Sequence, residues 1–186
     1  MAYRSGTYVA FDGLGESDPS KSDFKYYSTI KMWDSHNSID FSITNSHEKA
    51  SSVRDSSKLA TLKSSIQQRL RNSKNIVIIL SDDTRKTGSI LSYEIELAVD
   101  NYDLPLIIAY TGYININNPK LLSSRWPKAL EKRINDGTAK AIHVSFKKEP
   151  ILDAIGQFIV DQKYPKGGAL GVYGDDVYKK WGLGGS

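Results

Sequence analysis

The chain has 186 residues, a formal net charge of +4 and no cysteine. That length suits one domain with a core large enough to stand without staples, and the missing cysteine excludes disulfides and thiolate chemistry and agrees with a reducing cytosol. The longest apolar runs fall well short of the ~18 residues that a membrane-spanning helix needs, and the basic residues are interspersed with acids without an aromatic–basic motif, which argues against membrane and nucleic-acid partners. Met1–Gly6 carries no signal-peptide core, so the expectation is a soluble cytoplasmic protein. The modest positive charge permits a preference for anionic small molecules.

Thr7–Phe11 reads as a first strand, stopped by Asp12-Gly13-Leu14-Gly15. Phe24, Tyr27, Ile30 and Trp33 recur at i+3 and predict a first helix, capped by Ser20 or Ser22. Ile39, Phe41 and Ile43 alternate with polar residues, as in a second strand with one covered face. A polar loop, Thr44 to Asp55, leads to a helix with Leu59, Leu62, Ile66 and Leu70 on one stripe and Ser56 or Ser57 as cap. Ile76–Leu80 is an unbroken apolar run, which suits a strand covered on both faces. After the turn Ser81–Gly88, a helix begins near Ser89.

Leu104–Tyr110 predicts a fourth strand with Pro105 near its start, where a missing N–H is tolerated. A short helix is expected around Pro127 to Ile134. Ile142, Val144 and Phe146 alternate as a fifth strand at an edge, with His143 as a surface position, and Pro150–Val160 reads as a further helix. Residues 1–162 are taken as the α/β domain and 163–186 as a tail rich in Gly and aromatics, either disordered or docked by Tyr164, Tyr173, Tyr178 and Trp181. Strands alternating with helices predict an α/β fold, a flavodoxin-like doubly wound sheet of five mainly parallel strands in the order 2-1-3-4-5. Ligands of such sheets bind at the carboxyl ends of the strands, between strands one and three.

The helix after Ser89 carries the most telling residue. At ~100° per residue, Leu91, Ile95, Ala98 and Tyr102 form an apolar stripe, and Glu94 lies about 60° from Leu91, inside the arc. Glu96 and Asp100 fall on the polar side. A carboxylate among core positions is costly unless it is paired or lines a cavity. Glu94 therefore either reaches water or a Lys from the margin of the stripe, or serves the crevice near which the topology puts it.

Other motifs fail. The third Gly of G-x-G-x-x-G would fall at Asp18, and no Walker loop or nucleophile elbow is present. His36, His47 and His143 are too scattered for a zinc site, so no metal is expected. A receiver-domain site lacks the paired acids after strand one.

The run Ile76-Val77-Ile78-Ile79-Leu80-Ser81, a polar turn and then Ser92-Tyr93-Glu94-Ile95 resembles the third strand and following helix of TIR domains, more narrowly the bacterial TIR-like group of Thoeris anti-phage defence. Thr7–Asp12 is similar to that group's opening strand, and Ser57–Ser73 to the helix before its third strand. The resemblance spans roughly Thr7 to Val160. Ile90 or Leu91 stands where many TIR domains carry a Trp.

The resemblance implies cleavage of the nicotinamide–ribose bond of NAD, with NAD as substrate and no further cofactor. Glu94 takes the catalytic role, holding the ribose hydroxyls and stabilising oxocarbenium charge. Phe11 is expected to stack on a ring, and Asp12, Asn45, His47 and Ser81 to bond ribose or phosphate. Capture of the intermediate by the nucleotide itself gives a cyclic ADP-ribose-type signal for a partner effector, and capture by water gives ADP-ribose. A homo-oligomer on activation is expected. The rival readings are a TIR interaction module with little catalysis and another nucleotide glycosidase or transferase on the same scaffold.

Overall fold

The computed structural model describes residues 4–16, 18–44, 49 and 55–184. Its strands are β1 (Gly6–Ala10), β2 (Phe41–Ile43), β3 (Ser73–Leu80), β4 (Leu106–Tyr110), β5 (Ala141–Ser145) and β6 (Gly171–Val172). Its α-helices are α1 (Phe24–Trp33), α2 (Ser56–Arg71), α3 (Ile90–Glu96), α4 (Lys128–Asn135), α5 (Lys148–Gln157) and α6 (Asp175–Lys180). The strands form one sheet in the order β2-β1-β3-β4-β5-β6, and every pairing is parallel. The expected 2-1-3-4-5 order is present, extended by one short strand.

Alternation along the strands divides the core into two layers. Tyr8, Ala10, Ile76, Ile78, Leu80, Leu106 and Ile108 face α2, α3 and α4, which contribute Ile66, Leu70, Leu91, Ile95 and Leu130. Val9, Phe11, Val77, Ile79, Ile107 and Val144 face Tyr27 and Ile30 of α1 and Ile151 and Ile155 of α5. Cover on both faces is why β3 and β4 read as unbroken apolar runs.

Two local expectations change, at the cap of α2 and in the helix after Ser89. α2 is capped by Asp55, whose carboxylate accepts the Ser57 N–H at 2.9 Å, and not by Ser56 or Ser57. At α1 Ser22 serves as expected, its hydroxyl accepting the Phe24 N–H at 3.2 Å, while the flanking Asp23 turns its carboxylate to Ser81. The helix begun at Ile90 does not stay α-helical. From Leu97 to Asn101 it widens into a π-helical segment, with the Tyr102 N–H on the Leu97 carbonyl at 3.2 Å. Such a segment inserts a residue and shifts the phase of the stripe. Leu91, Ile95 and Ala98 are buried as expected, while Tyr102 is only half-buried.

β5 is not at the edge, and His143 is not at the surface. β6 pairs outside β5 through Ile142↔Gly171 and His143↔Val172. A Cβ on Gly171 would stand 2.7 Å from the Ala141 carbonyl oxygen, so this close approach requires glycine. His143 is fully buried. Its Nδ1 lies 2.8 Å from the Tyr110 hydroxyl and its Nε2 2.8 Å from the Ala169 carbonyl. A carbonyl only accepts, so Nε2 carries the proton and Tyr110 donates to Nδ1. Burial pushes the imidazole down to about 4. Tyr173, Tyr178 and Trp181 pack edge to face on one another, with Tyr178 fully buried.

Asn75 ties the layers together from within the sheet. It accepts the Thr7 hydroxyl at 2.7 Å and donates to the Ile155 and Phe158 carbonyls at 2.9 and 2.8 Å. Asn75→Ala strands these buried partners, and we expect a loss of about 2–4 kcal/mol of unfolding free energy in urea denaturation.

Candidate functional site

The winding of the sheet reverses between β1 and β3, and the residues leaving three strands gather at that end: Phe11 and Asp12 after β1, Thr44 after β2 and Ser81 after β3. Glu94 lies in α3 between the core residues Leu91 and Ile95 and has 0% of its surface exposed. Both carboxylate oxygens are engaged. Oε1 accepts the Tyr8 hydroxyl at 2.5 Å, and Oε2 lies 3.1 Å from Lys49 Nζ. A buried carboxylate needs this matching, because the cost of leaving water is recovered only through close charge and hydrogen-bond partners.

Tyr8 belongs to a directed chain. Arg69 Nη1 donates to the Ile43 carbonyl at 2.6 Å and to Thr44 Oγ1 at 2.9 Å. Thr44 Oγ1 is in turn 2.9 Å from the Tyr8 hydroxyl. Tyr8 gives its one proton to Glu94, so Thr44 donates to Tyr8 while accepting from Arg69. Burial first, and the negative charge of Glu94 second, raise the Tyr8 pKa well above its ordinary value. The phenol thus stays a donor.

Lys49 completes the cluster. Besides Glu94, its ammonium donates to the Phe11 carbonyl at 2.6 Å and sits 4.1 Å from the centroid of the Phe11 ring. The Phe11 ring also meets Phe24, with centroids 5.9 Å apart. Phe11 therefore joins the Glu94 cluster through its carbonyl and its ring.

A second cluster lies beside the first. The Asp12 carboxylate accepts from Arg85 Nε at 3.0 Å and Nη2 at 2.7 Å, and from the backbone N–H groups of Arg85 and Leu14 at 2.8 and 2.9 Å. Burial pushes the acid up, but the bonds from Arg85 and Leu14 together hold it below the usual carboxylate value. The Ser81 hydroxyl lies 2.9 and 3.0 Å from the two oxygens of Asp23. Burial drives Asp23 up to about 6 against that hydrogen bond, with help from the charges of Asp12 and Asp83.

Of the residues singled out in the sequence, Glu94 and Phe11 share one cluster, while the side chains of Asp12 and Ser81 are engaged by Arg85 and Asp23 in the other. Asn45 and His47 lie outside the described residues. Tyr8, Thr44, Lys49, Arg69 and Asp23 were missed. Alternation along β1 carried a signal for Tyr8, a hydroxyl-bearing ring on the same face as Ala10. Lys49, in a stretch that reads as a long polar loop, carried none. The family model for "Thoeris protein ThsB, TIR-like domain" matches residues 8–116, from Tyr8 to just beyond β4.

Asp23 generates a pH test. Its folded pKa is raised, so its contribution to stability is complete below the unfolded value near 3.8 and is lost as pH rises through about 6. Asp23→Asn removes this loss while leaving Ser81 an acceptor. Relative to wild type, the variant should gain on the order of 2 kcal/mol between about pH 4 and about pH 7 in urea denaturation.

Proposed function

This chain belongs to the family of the Thoeris protein ThsB, TIR-like domain, and on that premise we propose that it cleaves NAD at the bond between nicotinamide and ribose. The observation that carries this reading is the fully buried Glu94 carboxylate, held by Tyr8 and matched by a cation at the reversal of the sheet. In the proposed reaction the carbon–nitrogen bond breaks with its electron pair going to the nicotinamide nitrogen, which leaves neutral. Positive charge develops on the ribosyl carbon, and the Glu94 carboxylate stabilises it. The chain Arg69–Thr44–Tyr8 fixes one carboxylate oxygen, so no reorganisation is needed as that charge appears.

The ribosyl cation is then captured by a hydroxyl of the same nucleotide, which loses its proton, or by an adenine ring nitrogen, with the proton lost from the exocyclic amine, and either gives a cyclic ADP-ribose-type product; capture by water, which also loses a proton, gives ADP-ribose. The product acts as a diffusible signal to a partner effector in anti-phage defence, with NAD consumed as substrate and no resident cofactor. Self-association on activation is part of the same proposal. Among the described residues no helix is long and apolar enough to cross a membrane.

One observation favours a second reading, a TIR interaction module with little catalysis. Both Glu94 oxygens already have partners within the chain, an arrangement that a purely structural ion pair also requires.

The deciding measurement is NAD loss and nucleotide products, by chromatography and mass spectrometry, in cells expressing the chain under phage challenge. Wild type makes an NAD-derived product, and folded Glu94→Gln loses it by at least about a hundredfold. Tyr8→Phe keeps the carboxylate but loosens it, and the expected drop is roughly ten- to a hundredfold in kcat with a smaller change in KM. Protection without any NAD-derived product, equal in wild type and Glu94→Gln, replaces the catalytic reading with the interaction module.

A further inference from the structure

Three features converge on the ammonium of Lys49, and all three attract positive charge: the Glu94 carboxylate at 3.1 Å, the Phe11 carbonyl oxygen at 2.6 Å and the Phe11 ring face at 4.1 Å from its centroid. A carboxylate, a carbonyl dipole and a π face together form a receptor for an organic cation. We propose that this is a seat for an organic monocation, that Lys49 is its resident occupant, and that Lys49 competes with any cationic ligand that reaches Glu94 and Phe11.

The energetics make the occupant exchangeable. The desolvation of a buried ion pair offsets much of its attraction, whereas removing one partner leaves a bare buried charge at a cost of several kcal/mol. Emptying the seat is therefore expensive, but exchanging one cation for another leaves Glu94 matched throughout. The acceptors set the ligand class. A primary alkylammonium can donate to Glu94 and the Phe11 carbonyl, and a flat pyridinium can lie on the Phe11 ring. Tyr8 stays bound to the opposite oxygen of Glu94 in either case.

In its bearing on turnover the inference rests on the NAD reading above; the seat itself does not. The pyridinium of oxidised nicotinamide carries the charge this seat takes, and the reduced dihydropyridine does not. Lys49 then acts as a built-in competitor, raising KM for NAD more than it changes kcat.

Lys49→Ala removes three methylenes and the ammonium, which n-propylammonium replaces. Thermal unfolding of full-length Lys49→Ala is followed against n-propylammonium chloride, with sodium chloride at equal ionic strength as the control. The expected result is a saturable rise in Tm of roughly 3–6 °C at ten times the dissociation constant. It should need a much higher concentration in wild type, where Lys49 competes, and be absent in the double variant Lys49→Ala with Glu94→Gln. No saturable rise, or an equal rise in the double variant, overturns the seat.

Should Lys49→Ala not fold, wild type is acylated with acetic anhydride and Lys49 is followed by peptide mass spectrometry, with the exposed Lys148 as reference. N-methylpyridinium chloride, which does not consume the reagent, should accelerate Lys49 labelling severalfold and leave Lys148 unchanged. Unchanged Lys49 labelling overturns the exchange. NAD cleavage is assayed in the same variants. Cation binding without NAD cleavage in any of them leaves the seat standing and removes the NAD reading instead.

Discussion

A carboxylate with no exposed surface must be matched from within, and much of this molecule's carboxyl-end architecture answers that demand for Glu94. Its partners come from far along the chain: Tyr8 from β1, Lys49 from the segment between β2 and α2, and, one step removed, Thr44 after β2 and Arg69 from α2. Each strand and helix among these is positioned by pairing or apolar packing. β1 is placed by its pairing with β2 and β3, and α2 by Leu62, Ile66 and Leu70 on the sheet. The hydrophobic core thus determines where the polar atoms meet, and the polar atoms determine which way the carboxylate points.

The neighbouring cluster divides two acids in opposite directions. Asp12, gripped by Arg85, is held ionised, while Asp23, buried with a hydroxyl at its oxygens, is pushed up. The Arg85 grip fastens the turn after β3 to the end of β1, and the Ser81 bond fastens the end of β3 to the start of α1. Polar bonds therefore pin the loops that lie alongside the Glu94 cluster.

The fold was legible because buried parallel strands leave an uninterrupted apolar signature, and Ile76–Leu80 and Leu106–Tyr110 carry it. Glu94 was legible because helical periodicity alone puts it inside an apolar arc. What escaped depends on contacts across long sequence distances. A Lys in a polar loop looks the same whether it ends in solvent or on a carboxylate 45 residues on. The α2 cap went wrong because Asp55, next to the two candidate serines, takes the Ser57 N–H itself, whereas at α1 the Ser22 hydroxyl accepts the Phe24 N–H as expected. His143 looked exposed because β5 looked like an edge, and a two-residue strand made possible by Gly171 has too little pattern to announce itself.

Strand order also sets a timetable for synthesis. From β3 onward, each strand leaves the ribosome after the neighbour on which it adds: β4 on β3, β5 on β4 and β6 on β5. β1 and β2, made first, wait for β3 before the sheet can extend, since β1 lies between β2 and β3. The growing sheet therefore carries one unfinished edge that moves outward with translation, and at each stage that edge is a template for pairing with another nascent chain. The short β6 leaves only a narrow stretch for a stranger to extend.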